Sequence, residues 1–122
     1  MVHIDEFMHD GKNFMYIDFS RIAASDEYIH ALEKVRQAIE KHAENSLYTI
    51  INLEYTMFDT TIKELVAQYM EYNKPYVKYG IIIGFDGIKK TIVNSILKKC
   101  GRNNIGFAFT KKQAIELLLQ QQ

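Results

Sequence analysis

Val2–Met8 and Asn13–Phe19 read as two short strands facing each other across His9-Asp10-Gly11-Lys12, and Asp-Gly at the centre of such a pair is a strong hairpin signal. In the second arm Phe14, Tyr16 and Asp18 alternate with Met15, Ile17 and Phe19, a two-residue period that becomes more apolar toward the end. After Ser25 the period changes. Tyr28, Ile29, Leu32, Val35, Ile39 and Ala43 recur at three- and four-residue steps and form one apolar stripe. Glu33, Lys34, Arg36, Gln37, Glu40 and Lys41 occupy the opposite side. Ser25 is placed to cap this helix, Asp26 and Glu27 complement its positive end, and Asn45-Ser46 stop it.

The alternation of strand and helix continues to the C-terminus. Leu47–Leu53, apolar and rich in β-branched residues, predicts a central strand, and Thr60 to about Tyr72 a helix burying Ile62, Leu65, Val66, Tyr69 and Met70. Pro75 lies in the following loop, and Val77–Ile83 predicts a further buried strand. Asp86-Gly87 turns into a helix over roughly Ile88–Cys100, which Gly101 is placed to end in a left-handed cap. Ile105–Phe109 predicts a last short strand. Thr110 with Gln113 forms a capping-box pattern, opening a final helix with Ala114, Ile115, Leu118 and Leu119 inward. The order ββαβαβαβα predicts an α/β domain over 1–122, with parallel strands joined by right-handed crossovers and the first strand as an antiparallel edge.

Charge adds one feature to this picture. Fifteen basic and fifteen acidic side chains cancel overall, yet the segment 1–85 is acidic and 86–122 basic. That bias fits an anionic partner near the C-terminal end, or simply solvated Lys-rich helix faces. The overall balance argues against sequence-independent binding of nucleic acid, which relies on a strong basic field. Cys100 is the sole cysteine, so no intramolecular disulfide forms, as suits a reducing compartment. The N-terminus shows no basic-then-apolar leader, and no apolar run approaches the roughly 18 residues of a membrane span. The expectation is a cytoplasmic domain without a membrane span.

Most chemical signatures are missing. There is no Gly-x-Ser-x-Gly elbow, Walker-type loop or His-Glu-x-x-His helix, and Gly80, Gly84 and Gly87 miss the dinucleotide spacing. His3, His9, His30 and His42 are too scattered to share a helical turn with a carboxylate, so no metal is expected. Lys98, Lys99 and Arg102 can in principle lower the Cys100 thiol, although a buried, inert cysteine is the commoner case. A phospho-acceptor receiver domain shares the alternating order. It is rejected because Lys74-Pro75 precedes the wrong strand and no Asp ends a central strand.

The informative junction is Asn52-Leu53-Glu54-Tyr55-Thr56-Met57-Phe58-Asp59-Thr60-Thr61, a buried strand running through a short loop into a helix start. Asp59 can accept from first-turn N–H groups, and Thr60 and Thr61 sit at the positive dipole end. An exposed phosphate there is favoured by about 0.3–1 kcal/mol. The plain alternative is an ordinary helix cap.

Ile51-Asn52-Leu53, Phe58 and Asp59-Thr60-Thr61 resemble, in order and spacing, the STAS family of sulfate-transporter and anti-sigma-factor-antagonist domains. That pattern is an apolar strand with Asn/Asp-Leu, a short loop, and Asp-Ser-Ser-Gly opening a helix. The resemblance covers roughly residues 13–119, including a helix-Gly-strand-helix unit in Leu97–Leu119. It is strongest toward a bacterial SpoIIAA-like branch, through Asn73-Lys74-Pro75-Tyr76-Val77-Lys78, Gly84-x-x-Gly87, Gly101-Arg102 and the Phe109-to-Leu118 segment. It implies a non-enzymatic fold with a mixed, mostly parallel five-stranded sheet and four main helices.

In the anti-sigma antagonists the second hydroxyl of Asp-Ser-Ser is phosphorylated by a partner kinase, which implies Thr61 here. This chain departs from the pattern in carrying threonines for both serines and Ile62 for the glycine, a β-branched residue that would crowd a close partner backbone.

Two functions are therefore expected in competition. One is a regulatory module that meets a kinase or anti-sigma-like regulator through Asp59 and Ile62, with Thr61 and Thr60 as phosphosites. The other, to which the branch's likeness to lipid-binding folds also points, holds an apolar ligand among Phe19, Tyr55, Met57, Phe58 and Phe85 in a crevice at the strand ends. An enzyme based on Asp59 or Glu54 lacks any orienting partner in the sequence, and no cofactor is implied. Oligomeric state is left open.

Overall fold

The computed structural model describes residues 2–22 and 25–121, Ser25 by its backbone alone. The elements are β1 (His3–His9), β2 (Lys12–Asp18), α1 (Ser25–Glu40), β3 (Leu47–Asn52), α2 (Thr60–Tyr72), β4 (Val77–Ile83), α3 (Gly87–Lys99), β5 (Ile105–Phe107) and α4 (Lys111–Leu119). The strands form a five-stranded sheet in the order β1-β2-β3-β4-β5. β1 pairs antiparallel with β2, and the remaining pairs are parallel. The hairpin closes through Asp10 (φ 52°) and Gly11 (φ 76°), the doubly left-handed backbone that a two-residue Asp-Gly turn requires.

Because strand order never reverses, every right-handed crossover falls on the same side of the sheet. The helices α1, α2 and α3 therefore form one layer, sealing Met15, Ile17, Leu47, Ile51, Val77 and Ile82 beneath Val35, Val66 and Val93. α4 crosses to the opposite face, where Ala114 and Leu118 cover Phe14, Tyr48, Ile50, Ile81 and Ile83. Residues on β2 and β3 alternate between the two cores, as a pleated strand demands. β4 slips at its start. Leu47 pairs with Val77 but Tyr48 with Tyr79, and this irregularity lets Val77 and Ile82, five residues apart, share a face.

The boundaries differ from the periodic pattern in three places. α1 ends at Glu40, leaving Ala43 exposed, because the chain must turn through Asn45 (φ 54°) to bond Asn45 N to Pro75 O at 2.8 Å and Leu47 N to Tyr76 O at 3.1 Å. Ile29 lies on the flank toward α2 and is half exposed, while Ala31 takes its place in the core. β5 stops at Phe107 because the next amides leave the ladder: Ala108 N still reaches Ile82 O, but Phe109 N donates to Gln113 Oε1 at 2.8 Å. The Thr110 hydroxyl accepts from Gln113 N at 3.0 Å and completes the reciprocal cap of α4. The capping role expected of the Ser25 side chain lies outside the described residues.

Candidate functional site

Parallel strands deliver their connections to the same end of the sheet, so the segments following β2, β3, β4 and β5 gather there with the N-termini of the helices. The β3–α2 junction is the most elaborated of these. Backbone pairing persists past β3, with Leu53 N donating to Ile83 O at 3.0 Å. The Asn52 side chain then makes a local turn, its Oδ1 accepting from Glu54 N at 3.0 Å while its Nδ2 donates to Tyr16 Oη at 3.2 Å. Burial is the main cause holding the Tyr16 hydroxyl above its ordinary range, and the Asn52 contact opposes it. Gly84 (φ 73°) passes directly over this turn: a Cβ there would sit 2.5 Å from Glu54 N and collide with Asn52 Oδ1. Only glycine fits that crossing.

The next residues alternate out, in, out. Tyr55 occupies left-handed backbone (φ 64°), a conformation costing a bulky side chain about 1–2 kcal/mol, and it is 76% exposed. Thr56 is buried, its hydroxyl 3.1 Å from Tyr28 Oη. Met57 is 78% exposed, and Phe58 is half-buried against the main core. Asp59 caps α2, its Oδ1 accepting from Ile62 N at 2.8 Å. Thr60 and Thr61 lie exposed on the first turn, as the sequence pattern places them. Ile62 is in the core, as the helical periodicity predicts and contrary to the partner-facing place also expected of it, because one turn of helix past the cap rotates it inward.

Asp86 repeats this arrangement beside it, accepting from Lys89 N at 2.8 Å to cap α3. Lys89 Nζ reaches back 3.0 Å to Leu53 O and ties the two junctions together. Phe85 packs edge-on to Phe107 (5.1 Å between centroids) and against Phe109 (5.8 Å), with Lys90 Nζ over the Phe85 and Phe107 rings. Phe109 and Ile88 are largely presented to solvent. Of six exposed large hydrophobic side chains among the described residues, four (Tyr55, Met57, Ile88 and Phe109) belong to this end. Scattered exposure of apolar residues is ordinary, but four at one end of the sheet make that end a candidate contact surface.

Sequence reasoning singled out Tyr55 and Met57 but missed Ile88 and Phe109, which the periodic pattern assigns to a helix start and a strand end. The available signal was their position within two residues of the capping residues Asp86 and Thr110, where a side chain precedes the buried helical face.

The residues expected to line an apolar crevice are not brought together. Phe19 is buried, stacked on Tyr28 at 5.1 Å, whereas Tyr55 and Met57 face solvent and Phe85 packs with its own aromatic neighbours. The unreversed strand order also removes the switch point at which open sheets form such crevices. Besides a shallow hollow of about 430 Å³ beside Phe109 and Glu116, two hollows are grooves between helices. One, of about 280 Å³, separates α1 from α2 beside Ile29, Leu65 and Tyr72, and the other, of about 500 Å³, separates α2 from α3 beside Ala67, Ile92 and Cys100.

Cys100 is half-buried, and its thiol is pushed up by burial and by Glu71. The lowering expected from Lys98, Lys99 and Arg102 does not prevail: Arg102 and Lys74 act in that direction, but burial and Glu71 outweigh them. Among the described residues no group of three or more His, Cys, Asp or Glu side chains is arranged to hold a metal ion. No helix among them is long and apolar enough to cross a membrane.

No protein-family model matches the chain, and a search of curated proteins finds no match to it.

Proposed function

We propose that this chain is a non-enzymatic regulatory module of STAS type, acting in the cytoplasm by binding a protein partner and switched by phosphorylation at Thr61 or Thr60. The observation that carries this reading is the β3–α2 junction. It presents two threonine hydroxyls on the first turn of α2, flanked by the outward Tyr55 and Met57. A partner docked on Tyr55 and Met57 would cover the hydroxyls, so phosphate and partner are coupled through shared surface.

Phosphate on Thr61 would feel two opposing effects. The helix N-terminus favours it by about 0.3–1 kcal/mol, while the Asp59 carboxylate, already engaged with Ile62 N, repels it. The junction therefore responds to modification by redistributing its first-turn hydrogen bonds, leaving the packed core intact. Phosphoproteomic mapping, with partner recovery by wild type, Thr61→Ala and Thr61→Asp, tests the reading. Phosphate on Thr60 or Thr61 and recovery that differs between the two variants are expected. Equal recovery across all three, with neither threonine modified, would sink it.

A second reading, binding of a lipid or other apolar small molecule, draws support from the Phe85, Phe107 and Phe109 cluster, which presents its outermost ring to solvent. Native mass spectrometry of the purified protein with lipid extraction tests it. A bound apolar mass lost on Phe109→Ser supports it, and a ligand-free wild type counts against it.

A further inference from the structure

The sheet has two edges, and they are finished differently. β5 is three residues long, Ile105–Phe107, and so short an edge offers little to a further strand. β1 runs for seven residues, His3–His9, with an unbroken register to β2 and neither a proline nor a bulge. The two-residue Asp10-Gly11 turn makes His9 and Lys12 the bonded closing pair, so the N–H and C=O groups of Ile4, Glu6 and Met8 point away from β2. Among the described residues nothing hydrogen-bonds these outward groups.

The helix side leaves room for a strand beside β1. One flank of α1 faces α2 through Ile29, Leu32 and Arg36. The other flank carries Glu27, His30, Ala31 and Lys34 at helical spacing, and with Val2 they line a hollow of about 230 Å³ floored by the buried Val2 and Ala31. Val2, Ile4, Glu6 and Met8 share this helix face of the sheet, and Met8 is 69% exposed. The two carboxylates at the middle of β1 leave the edge clear. His42 draws Glu6 to one face at 2.6 Å, and Lys111 lies 4.0 Å from Asp5 on the other.

These features name an occupant. Unpaired amides and carbonyls at alternate positions are matched by an extended backbone, and by neither a helix nor a lipid surface. A second copy of β1 fits poorly. The one antiparallel two-fold register that pairs all seven residues sets Glu6 against Glu6, and like charges directly opposite are destabilising. We propose that the outer edge of β1 binds an extended segment of a different protein by strand addition. The segment carries apolar side chains at alternate positions, one of which enters the hollow floored by Val2 and Ala31. Neither Thr60 nor Thr61 takes part, so this contact and the phosphorylation switch can fail separately.

Selection of displayed random nonapeptides on the full chain, with the enriched sequences made as free peptides, tests the proposal. The expected peptides alternate apolar and polar residues and lack proline. By NMR they should slow exchange of the Ile4, Glu6 and Met8 amides at least roughly tenfold. Met8→Pro removes an outward N–H, and His30→Trp fills the hollow from its exposed rim; each should weaken binding by about tenfold or more. N-methylation of the peptide at alternate residues separates backbone pairing from a misfolded variant. One of the two phases should abolish binding and the other spare it, a result that side-chain docking does not give. No enriched peptide, protection centred away from β1, or binding indifferent to both methylated phases overturns the proposal. So does protection of the three amides that grows with protein concentration and needs no peptide, which assigns the edge to a second copy.

Discussion

The two ends of the sheet solve the same problem in opposite ways. At the end where strands finish, helices begin, and their unpaired N–H groups are met by Asp59, Asp86 and Thr110 from the chain immediately before each helix. Local capping leaves some of the intervening side chains free of the core, and Tyr55, Met57, Ile88 and Phe109 stand outward. At the end where strands begin, helices finish, and their carbonyls are met by cations from distant parts of the chain. Arg102 Nη1 donates to Met70 O at 2.6 Å and Asn73 Oδ1 at 2.5 Å, and its Nε donates to Asn104 Oδ1 at 3.0 Å. Asn104 Nδ2 then bonds Val77 O and Lys78 O, so one buried cluster locks the end of α2 to the starts of β4 and β5. Lys12 Nζ closes α4 similarly on Leu119 O and Gln121 O. Long-range satisfaction of helix carbonyls ties down one end, and short-range capping leaves apolar side chains exposed at the other.

The largest expected effect sharpens this contrast through two buried tyrosines. Tyr28 holds up the contact end through Thr56. Tyr69 lies toward the locked end, its Oη and the Arg102 Nη2 both buried without a hydrogen-bond partner among the described residues. Burial pushes both phenols up to about 12 from 10.0, with Thr56 opposing at Tyr28, and Asn73 and Arg102 opposing at Tyr69. A raised folded-state value means that the fold prefers neutral phenol. Their stabilising contribution is therefore fully present below about pH 10 and declines as pH rises toward 12, by about 2–3 kcal/mol for each tyrosine. Urea unfolding from pH 8 to 12 should show the decline, and Tyr28→Phe and Tyr69→Phe should each remove one share of it. Near pH 8 the two variants should diverge. Tyr28→Phe costs about 1 kcal/mol by leaving Thr56 Oγ1 unpaired, whereas Tyr69→Phe is neutral or slightly stabilising. Identical behaviour of the pair would erase the distinction between the ends.

Next in size is Arg102→Ala, which strips the partners from Asn73 and Met70 and is expected to cost about 2–4 kcal/mol in urea unfolding. Arg102→Lys should recover little of this, because an ammonium cannot reproduce the forked geometry. A loss under about 0.5 kcal/mol, the scale of a surface change, would show that the locked end is not held there.

The smallest effect has the opposite sign. Tyr55→Gly relieves the left-handed backbone and should stabilise by about 0.5–1 kcal/mol while weakening contact at the exposed end. Stabilisation read by thermal unfolding, together with reduced recovery of a protein partner, would show strain retained for contact. Destabilisation would show instead that the Tyr55 ring supports the fold.

Much of the architecture is legible one element at a time. The Asp10-Gly11 hairpin, α2 over Thr60–Tyr72, β4 over Val77–Ile83 and the Thr110–Gln113 cap follow from local periodicity and turn chemistry, which act within a few residues. That the three crossover helices share a face was not legible in the order of elements, which equally admits helices on both faces; the unreversed strand order in the sheet decides it.

The tertiary structure alone decided the rest. Whether α1 ends at Glu40 or Ala43 depends on bonds from Asn45 to Pro75 and from Leu47 to Tyr76, groups about thirty residues apart in the chain. Ile62 is marked as core by helical periodicity, but Phe19 carries no local mark of facing the core rather than a strand-end crevice; its stacking on Tyr28 settles it. The contact end likewise exists only in three dimensions. Its four apolar side chains come from three connections, and parallel pairing is what brings those connections to one end. Local chemistry determined the segments, and burial, which sums over partners remote in sequence, decided which of their faces remained free.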